Sequence, residues 1–426
     1  YVDRLSRALA RRGHEVDVVH CMDAFNVVKG RHPLRPYEPP PGVRIHSLKS
    51  RWGWLSPLAS QVSGRPWLKT RPLRALLDDA GVDVVHFHNI SLIGGPGILS
   101  MGRHSIRLMT AHEHWLACPM HLLWKNGRAA CDRPTCASCC LRGGRPPQVW
   151  RSTHAIAQGL GELDALLFPS QDALVKHASK GLRARRMGHL PYFLPDDWTE
   201  EGKESALQLE AAGSTRPYLA AAGRLVAMKG FQRLIPLMKW LPHVDLRIAG
   251  TGPFERRLRN LAEGLPNVRF EGLLGARRLS ELFASARAVV VPSLFPETFG
   301  YVVLEAYAAR TPVIVNLEGG ALAETGVASG GGLGYRTDAE LLLAMRRLVH
   351  DDDLRSRLAD RGHQVRSTDW SESVHLERYL GLIEEIRAGR SSSGSRKAHL
   401  AEEPPPRSHL SLTPSSEKAV RNHSGA

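Results

Sequence analysis

The chain has 426 residues, 42% of them hydrophobic and 23% charged, which exceeds one ordinary core and predicts two globular domains. No apolar run in the sequence approaches the roughly 18 residues of a membrane-spanning helix. The net charge of +15 fits anionic small molecules or lipid phosphates, while the lack of any nucleic-acid motif or aromatic–basic ladder sets nucleic acid aside.

In chain order, residues 3–12 read as a helix ending at Gly13, and HEVDVVHC (14–21) as a buried strand. Residues 24–42, with five prolines, read as loop. Another strand is expected at 43–48. The stretch 71–89 reads as helix, glycine stop and strand, and further strands are expected at 106–112 and 164–170. Residues 196–216 are polar and lose the pattern. It restarts with strands at 217–224, 244–252, 268–272 and 288–293, separated by helices at 231–241, 254–264 and 278–286.

Strands alternating with helices predict parallel sheets with crossover helices. The expected organisation is an α/β domain over 1–195, a linker over 196–216 and a second α/β domain over 217–370. A helix at 371–389 is expected to return toward the first domain. The tail 390–426 is too polar and Ser/Pro-rich to build a core. The cleft between two such domains is the default ligand site.

The strand AVVVPS (288–293) carries the chain to the carboxyl edge of its sheet, where open α/β folds bind ligands. There FPETFGYVVLEAYA places Glu297 in a loop, Gly300 at a helix start near Phe299, and Glu305 two turns in. Unpaired amides at Gly300 and Tyr301 and the helix dipole favour an anion. Acceptors on both sides of an anion site suit a sugar–diphosphate–ribose ligand. A capping acid beside an ordinary surface acid is the bland alternative. GRLVAMKG (223–230) ends the first strand of the second domain and projects Arg224 and Lys229 into the same crevice. Glycine turns follow at Gly250, in AGTGP, and at Gly319 and Gly320, in LEGG.

The order GRLVAMKG, RIAGTGP, PETFGYVVLEAYAARTPVI and Gly-Gly resembles the retaining nucleotide-sugar glycosyltransferases of family 4, which have the GT-B fold. That resemblance implies two Rossmann-like domains facing across a cleft. It implies a retaining transferase moving a hexosyl group from a UDP- or GDP-sugar to an acceptor hydroxyl in glycan, glycolipid or cell-surface polysaccharide synthesis. Arg224 and Lys229 would hold the donor diphosphate, Glu297 the donor-sugar hydroxyls and Glu305 the ribose. No DxD-type metal site is apparent in the sequence, so these cations would replace a divalent ion in catalysis. Family members usually begin with a strand and a Gly-rich loop, whereas this sequence opens at Tyr1 on the helix that follows them. A clipped start is the expectation.

On the acceptor side, LMTAHEHWLACP puts His112 just past a strand, and the resemblance assigns it to the cleft near the transferred sugar. His86 and His88 are candidates for the same wall. Five of the six cysteines crowd into one loop, 118–140. Cys118, Cys131, Cys136 and Cys139 are compatible with a structural zinc, against free or disulfide-bonded thiols. This uneven use favours a reducing compartment, hence the cytoplasm, with the basic charge allowing contact with an anionic inner membrane face and a lipid-linked acceptor. The rivals are a non-catalytic nucleotide-sugar binder, a sugar-nucleotide epimerase, and a hydrolase using the histidines as metal ligands.

Overall fold

A computed structural model describes residues 1–29, 38–78, 81–195, 198 and 216–397. The first half carries strands β1 (Val16–Cys21), β2 (Val43–Leu48), β3 (Val84–His88), β4 (Ile106–Thr110), β5 (Trp124–Lys125), β6 (Ala129–Ala130), β7 (Ala165–Phe168) and β8 (Met187–His189). β1 and β2 pair in parallel, and β3–β4–β7–β8 form a second parallel sheet. β5 and β6 make a small antiparallel hairpin inside the cysteine-bearing loop.

The second half is a doubly wound sheet of β9 (Tyr218–Ala222), β10 (Asp245–Ala249), β11 (Val268–Gly272), β12 (Ala288–Val291), β13 (Val313–Asn316) and β14 (Gly332–Tyr335). All six strands are parallel, in the order β11-β10-β9-β12-β13-β14. Successive side chains point to opposite faces. Leu219, Leu246, Ile248, Val290 and Ile314 enter one core, while Tyr218, Val289, Val291, Val313 and Val315 enter the other. Both faces are covered, which is why these strands are apolar throughout.

Helix boundaries follow local chemistry. Ser170 Oγ accepts from the Ala173 amide at 3.0 Å, and Asp351 Oδ1 from the Leu354 amide at 2.8 Å, each capping the helix that follows. Pro236 splits the expected 231–241 helix into an α turn, Phe231–Leu234, and a 3₁₀ stretch, Ile235–Trp240.

Two readings need correction. Residues 24–29, expected as loop, belong to the helix Met22–Lys29, because the prolines of the 24–42 segment all lie beyond it. Residues 390–397, expected as tail, continue the helix Glu372–Lys397, since no proline interrupts the run. The tail from 398 and the linker 196–216, apart from Trp198 and Arg216, lie outside the described residues.

Tyr1–Ile383 forms one unit and the chain from Glu384 another. Within the first unit the helix beginning at Glu372 lies against the first half. Arg11 pairs with Glu372 at 2.5 Å, His375 Nδ1 donates to the Pro191 carbonyl at 2.7 Å, and Tyr379 meets His86 at 3.2 Å. No helix among the described residues is long and apolar enough to cross a membrane.

Candidate functional site

The order of the second sheet reverses between β9 and β12, and the crevice beyond the carboxyl ends of strands at such a switch point is where open α/β sheets bind ligands. A cavity of about 360 Å³ opens there, lined by Lys229 beyond β9, by Ser293, Glu297, Thr298, Gly300 and Tyr301 beyond β12, and by Tyr1, His112 and Tyr192 from the first half.

Two glycine turns set the floor. Gly223 donates its amide to the Ala249 carbonyl at 3.0 Å, and a side chain on Gly250 would stand 2.0 Å from the Gly223 carbonyl oxygen. Gly250 therefore lets one loop lie directly on the other. Arg224, next in the chain, is exposed and has no ion pair among the described residues. Lys229 is half-buried. Its Nζ donates to Glu297 Oε1 at 2.5 Å and sits 5.3 Å from the centre of the Phe295 ring. Ser293 Oγ donates to the same carboxylate oxygen at 2.6 Å.

The Gly319–Gly320 turn acts on Glu297 through the backbone. The Glu297 amide donates to the Gly319 carbonyl, the Ala321 amide donates to the Glu297 carbonyl, both at 3.0 Å, and Glu297 and Gly320 form a parallel bridge. Gly320 has φ +69, and a side chain there would meet the Glu297 carbonyl oxygen at 2.7 Å. The loop carrying the carboxylate is thus clasped by a turn that tolerates only glycine.

The helix begins at Tyr301 rather than Phe299, with Gly300 as its N-cap at φ 90. Neither Phe299 nor Gly300 donates its amide to a protein acceptor among the described residues. The Phe299 ring is core, packed on Tyr192 and Trp370. Only its backbone belongs to the site. Glu305 lies deeper, on the same helix. Burial pushes its carboxyl up to about 7, opposed by the nearby Arg4 guanidinium. Arg4, from the first helix of the chain, also lies over the rings of Trp198 and Tyr301 at 4.9 and 5.0 Å.

The first half supplies a wall of hydrogen-bonded rings. His88 Nδ1 meets His112 Nε2 at 2.7 Å, and His112 Nδ1 meets the Tyr192 hydroxyl at 2.5 Å. His86 Nε2 meets Thr110 Oγ1 at 2.8 Å, which places it behind this wall. Tyr192 stacks on Tyr301 at 4.9 Å. Both nitrogens of His112 are engaged within the protein, and its carbonyl accepts from Thr298 Oγ1 at 2.8 Å. His114 is buried and donates from Nε2 to the Pro296 carbonyl at 3.1 Å. The HEH loop therefore locks onto the PETFG loop across the halves. Sequence reasoning missed Arg4, Tyr192 and Thr298, which join the site through contacts with no local pattern. His86 and His88 had a faint signal, since alternate strand residues share a face.

The loop thiols lie near one another: burial, then Cys118, Cys136 and Cys139, push the Cys131 thiol up. No three His, Cys, Asp or Glu side chains converge as metal ligands among the described residues. Cys118 is buried, Cys136 is exposed on a helical turn, and Cys139 Sγ instead accepts the Asn126 amide at 3.4 Å. All six cysteines are free.

The buried imidazoles make a stability prediction. Burial holds His86 and His114 down to about 3, His112 and His375 to about 4, and His88 well below its ordinary value. These depressed values contribute stability above the unfolded value of 6.5 that is lost as pH falls. Near pH 5.5 each imidazole costs on the order of 1 kcal/mol, and the group together approaches the ~5–15 kcal/mol that holds a typical domain. Glu305, shifted upward, works oppositely, but it is a single group. Circular dichroism is expected to show cooperative unfolding between roughly pH 6 and 4.5. An unchanged spectrum and melting temperature across that range would contradict this account.

The sequence profile described as glycosyl transferases group 1 matches residues 203–365, and that described as glycosyl transferase 4-like domain matches residues 1–192. The chain is 34% identical over 181 residues to the lipopolysaccharide core biosynthesis glycosyltransferase LpsE of Rhizobium meliloti, covering 39% of this chain and 49% of that protein. It is 27% identical over 253 residues to the alpha-D-kanosaminyltransferase of Streptomyces kanamyceticus, covering 57% and 64%. The chain thus spans about half the length of the curated relatives it matches. Among solved structures it is similar to sucrose-phosphate synthase from Thermosynechococcus elongatus, with a TM-score of 0.70 and 19% identity over 91% of this chain and 93% of that one. It is also similar to Anabaena HepE in complex with UDP-glucose, with a TM-score of 0.56 and 16% identity over 82% and 86%. At such identities these structures speak to the fold alone.

Proposed function

The chain belongs to the family 4-like glycosyltransferases of the GT-B fold, and on that premise we propose that it moves a hexosyl group from a UDP- or GDP-sugar to an acceptor hydroxyl with retained anomeric configuration. The observation that carries this reading is one cavity at the sheet's switch point. Lys229, Glu297 and the helix start at Gly300 face His112 and Tyr192 there. The UDP and UDP-glucose bound to HepE support a nucleotide-sugar donor.

In this reading the donor diphosphate lies over the helix start, against Lys229 and within reach of Arg224. Cations and a helix N-terminus are fixed where negative charge grows on the leaving phosphate. Glu297 orients the donor sugar through its hydroxyls, and Glu305 accepts from the ribose. His112 and Tyr192 form the wall beside the sugar, leaving the leaving phosphate to take the acceptor's proton on the same face. We place the acceptor among glycans or lipid-linked saccharides and the protein in the cytoplasm.

The test is calorimetric titration of the purified chain with UDP, GDP and their common sugar conjugates. Saturable binding to one series is expected. Glu305 adds a signature. Only the ionised carboxylate can accept from both ribose hydroxyls at once, and burial pushes it up to about 7. Donor affinity should therefore fall roughly tenfold between pH 8 and pH 6, and Glu305→Gln should weaken binding and flatten that dependence. Affinity independent of pH in the native protein would remove Glu305 from the donor site.

A further inference from the structure

The helix Leu55–Ser63 is packed the wrong way round for a surface helix. It buries Ser56, Ser60 and Gln61 and exposes Leu55 and Val62, seven residues apart and hence on one face. The inward face is pinned by polar bonds. Lys69 donates to Ser56 Oγ and pairs with Asp23 at 3.2 Å. Gln148 Nε2 donates to Gln61 Oε1 at 2.8 Å, and Trp150 Nε1 donates to the Gln61 carbonyl at 2.9 Å. These bonds fix the apolar face outward.

Three tryptophans flank that face. Trp52 and Trp54 precede the helix, and Trp67 opens the 3₁₀ turn packed beside it, with exposures of 51%, 63% and 65%. From residue 39 to 77 the sequence contains no Asp or Glu, but seven Lys or Arg. Lys49, Arg51, Arg65, Arg71 and Arg74 are exposed among them. The Arg51 guanidinium sits 5.4 Å from the Trp52 ring centre.

We propose that this face of the first half docks on an anionic lipid bilayer. Tryptophan suits the headgroup boundary, where its ring is apolar and its N–H is wet. Aliphatic side chains between the tryptophans would enter the acyl edge, and the cations would meet lipid phosphates. The exposed Lys49, Arg51, Arg65, Arg71 and Arg74 around the tryptophans distinguish this surface from a contact with a second copy of the same positive chain, where like charges would oppose. The inference is independent of the donor reading, because it is measured by partitioning rather than turnover.

The test is co-sedimentation of the full chain with vesicles of phosphatidylcholine, with and without phosphatidylglycerol. Binding is expected only with phosphatidylglycerol, weakening with salt, together with a blue shift of tryptophan emission. Arg51→Ala with Arg65→Ala should lower partitioning roughly 25-fold, at about fivefold per charge. Trp52→Ser with Trp54→Ser and Trp67→Ser should abolish it, with the melting temperature checked to show the variant folds. Equal binding to neutral vesicles, no binding to either, binding to an oligonucleotide instead, or a dimer that the tryptophan variant dissolves would each overturn the proposal.

Discussion

Removing Lys229 as Lys229→Ala is expected to lower kcat/KM for the donor by roughly 10² to 10³, and removing Arg224 with it should abolish measurable donor binding. The two cations stand differently. Lys229 is already held in the cavity by Glu297 at 2.5 Å and has little freedom left to lose. Arg224 is exposed, so on the proposed function it would have to order itself on the diphosphate. Lys229→Ala should therefore cost more than Arg224→Ala. Because both would neutralise one diphosphate, the double variant should lose less than the product of the singles. Lys229→Ala also strips Glu297 of its counter-charge, so Lys229→Arg is the sharper control, retaining charge while changing geometry. Calorimetry gives affinity and steady-state kinetics give kcat/KM. Wild-type values in the double variant, shown to be folded, would remove the diphosphate from this end of the sheet.

The sequence made the fold class readable because its signals are local. Apolar runs bounded by glycine and proline mark each strand of the second sheet. The motif order then brings GRLVAMKG and PETFG beside one another at the β9–β12 switch point. What could not be read is carried by contacts between residues far apart in the chain. Arg4 over Tyr301, Tyr192 on His112 and Thr298 on the His112 carbonyl join residues separated by 80 to nearly 300 positions. No spacing rule predicts such pairs. His112 shows the same limit. A histidine after a strand suggests a free ring aimed at substrate, yet both of its nitrogens are occupied by His88 and Tyr192. Its place in the cavity is legible from sequence, whereas its hydrogen bonds are not. The cysteine spacing left zinc and free thiols both open; the fold brings Cys118, Cys131, Cys136 and Cys139 near one another, with no three ligands meeting among the described residues.

Replacing Glu297 by glutamine is expected to reduce turnover by roughly 10² to 10³ while changing donor affinity far less. The reasoning rests on how firmly this side chain is placed. Its backbone is clasped on both sides by the Gly319–Gly320 turn, and its carboxylate receives Ser293 and Lys229 on a single oxygen, Oε1. On the proposed function the second oxygen would meet donor-sugar hydroxyls, whose alignment matters most as the glycosidic bond lengthens. Glutamine keeps the shape but weakens the hold on Lys229, so the sugar still binds and is poorly oriented. Gly320→Ala should reproduce much of the loss without touching the carboxylate, because a side chain there collides with the Glu297 carbonyl at 2.7 Å and displaces the loop. The two variants separate chemistry from placement. Glu297→Gln should leave the melting temperature nearly unchanged, whereas Gly320→Ala should lower it as well. A Glu297→Gln protein with native kcat would show that the carboxylate merely anchors Lys229 and that the sugar is oriented by other groups.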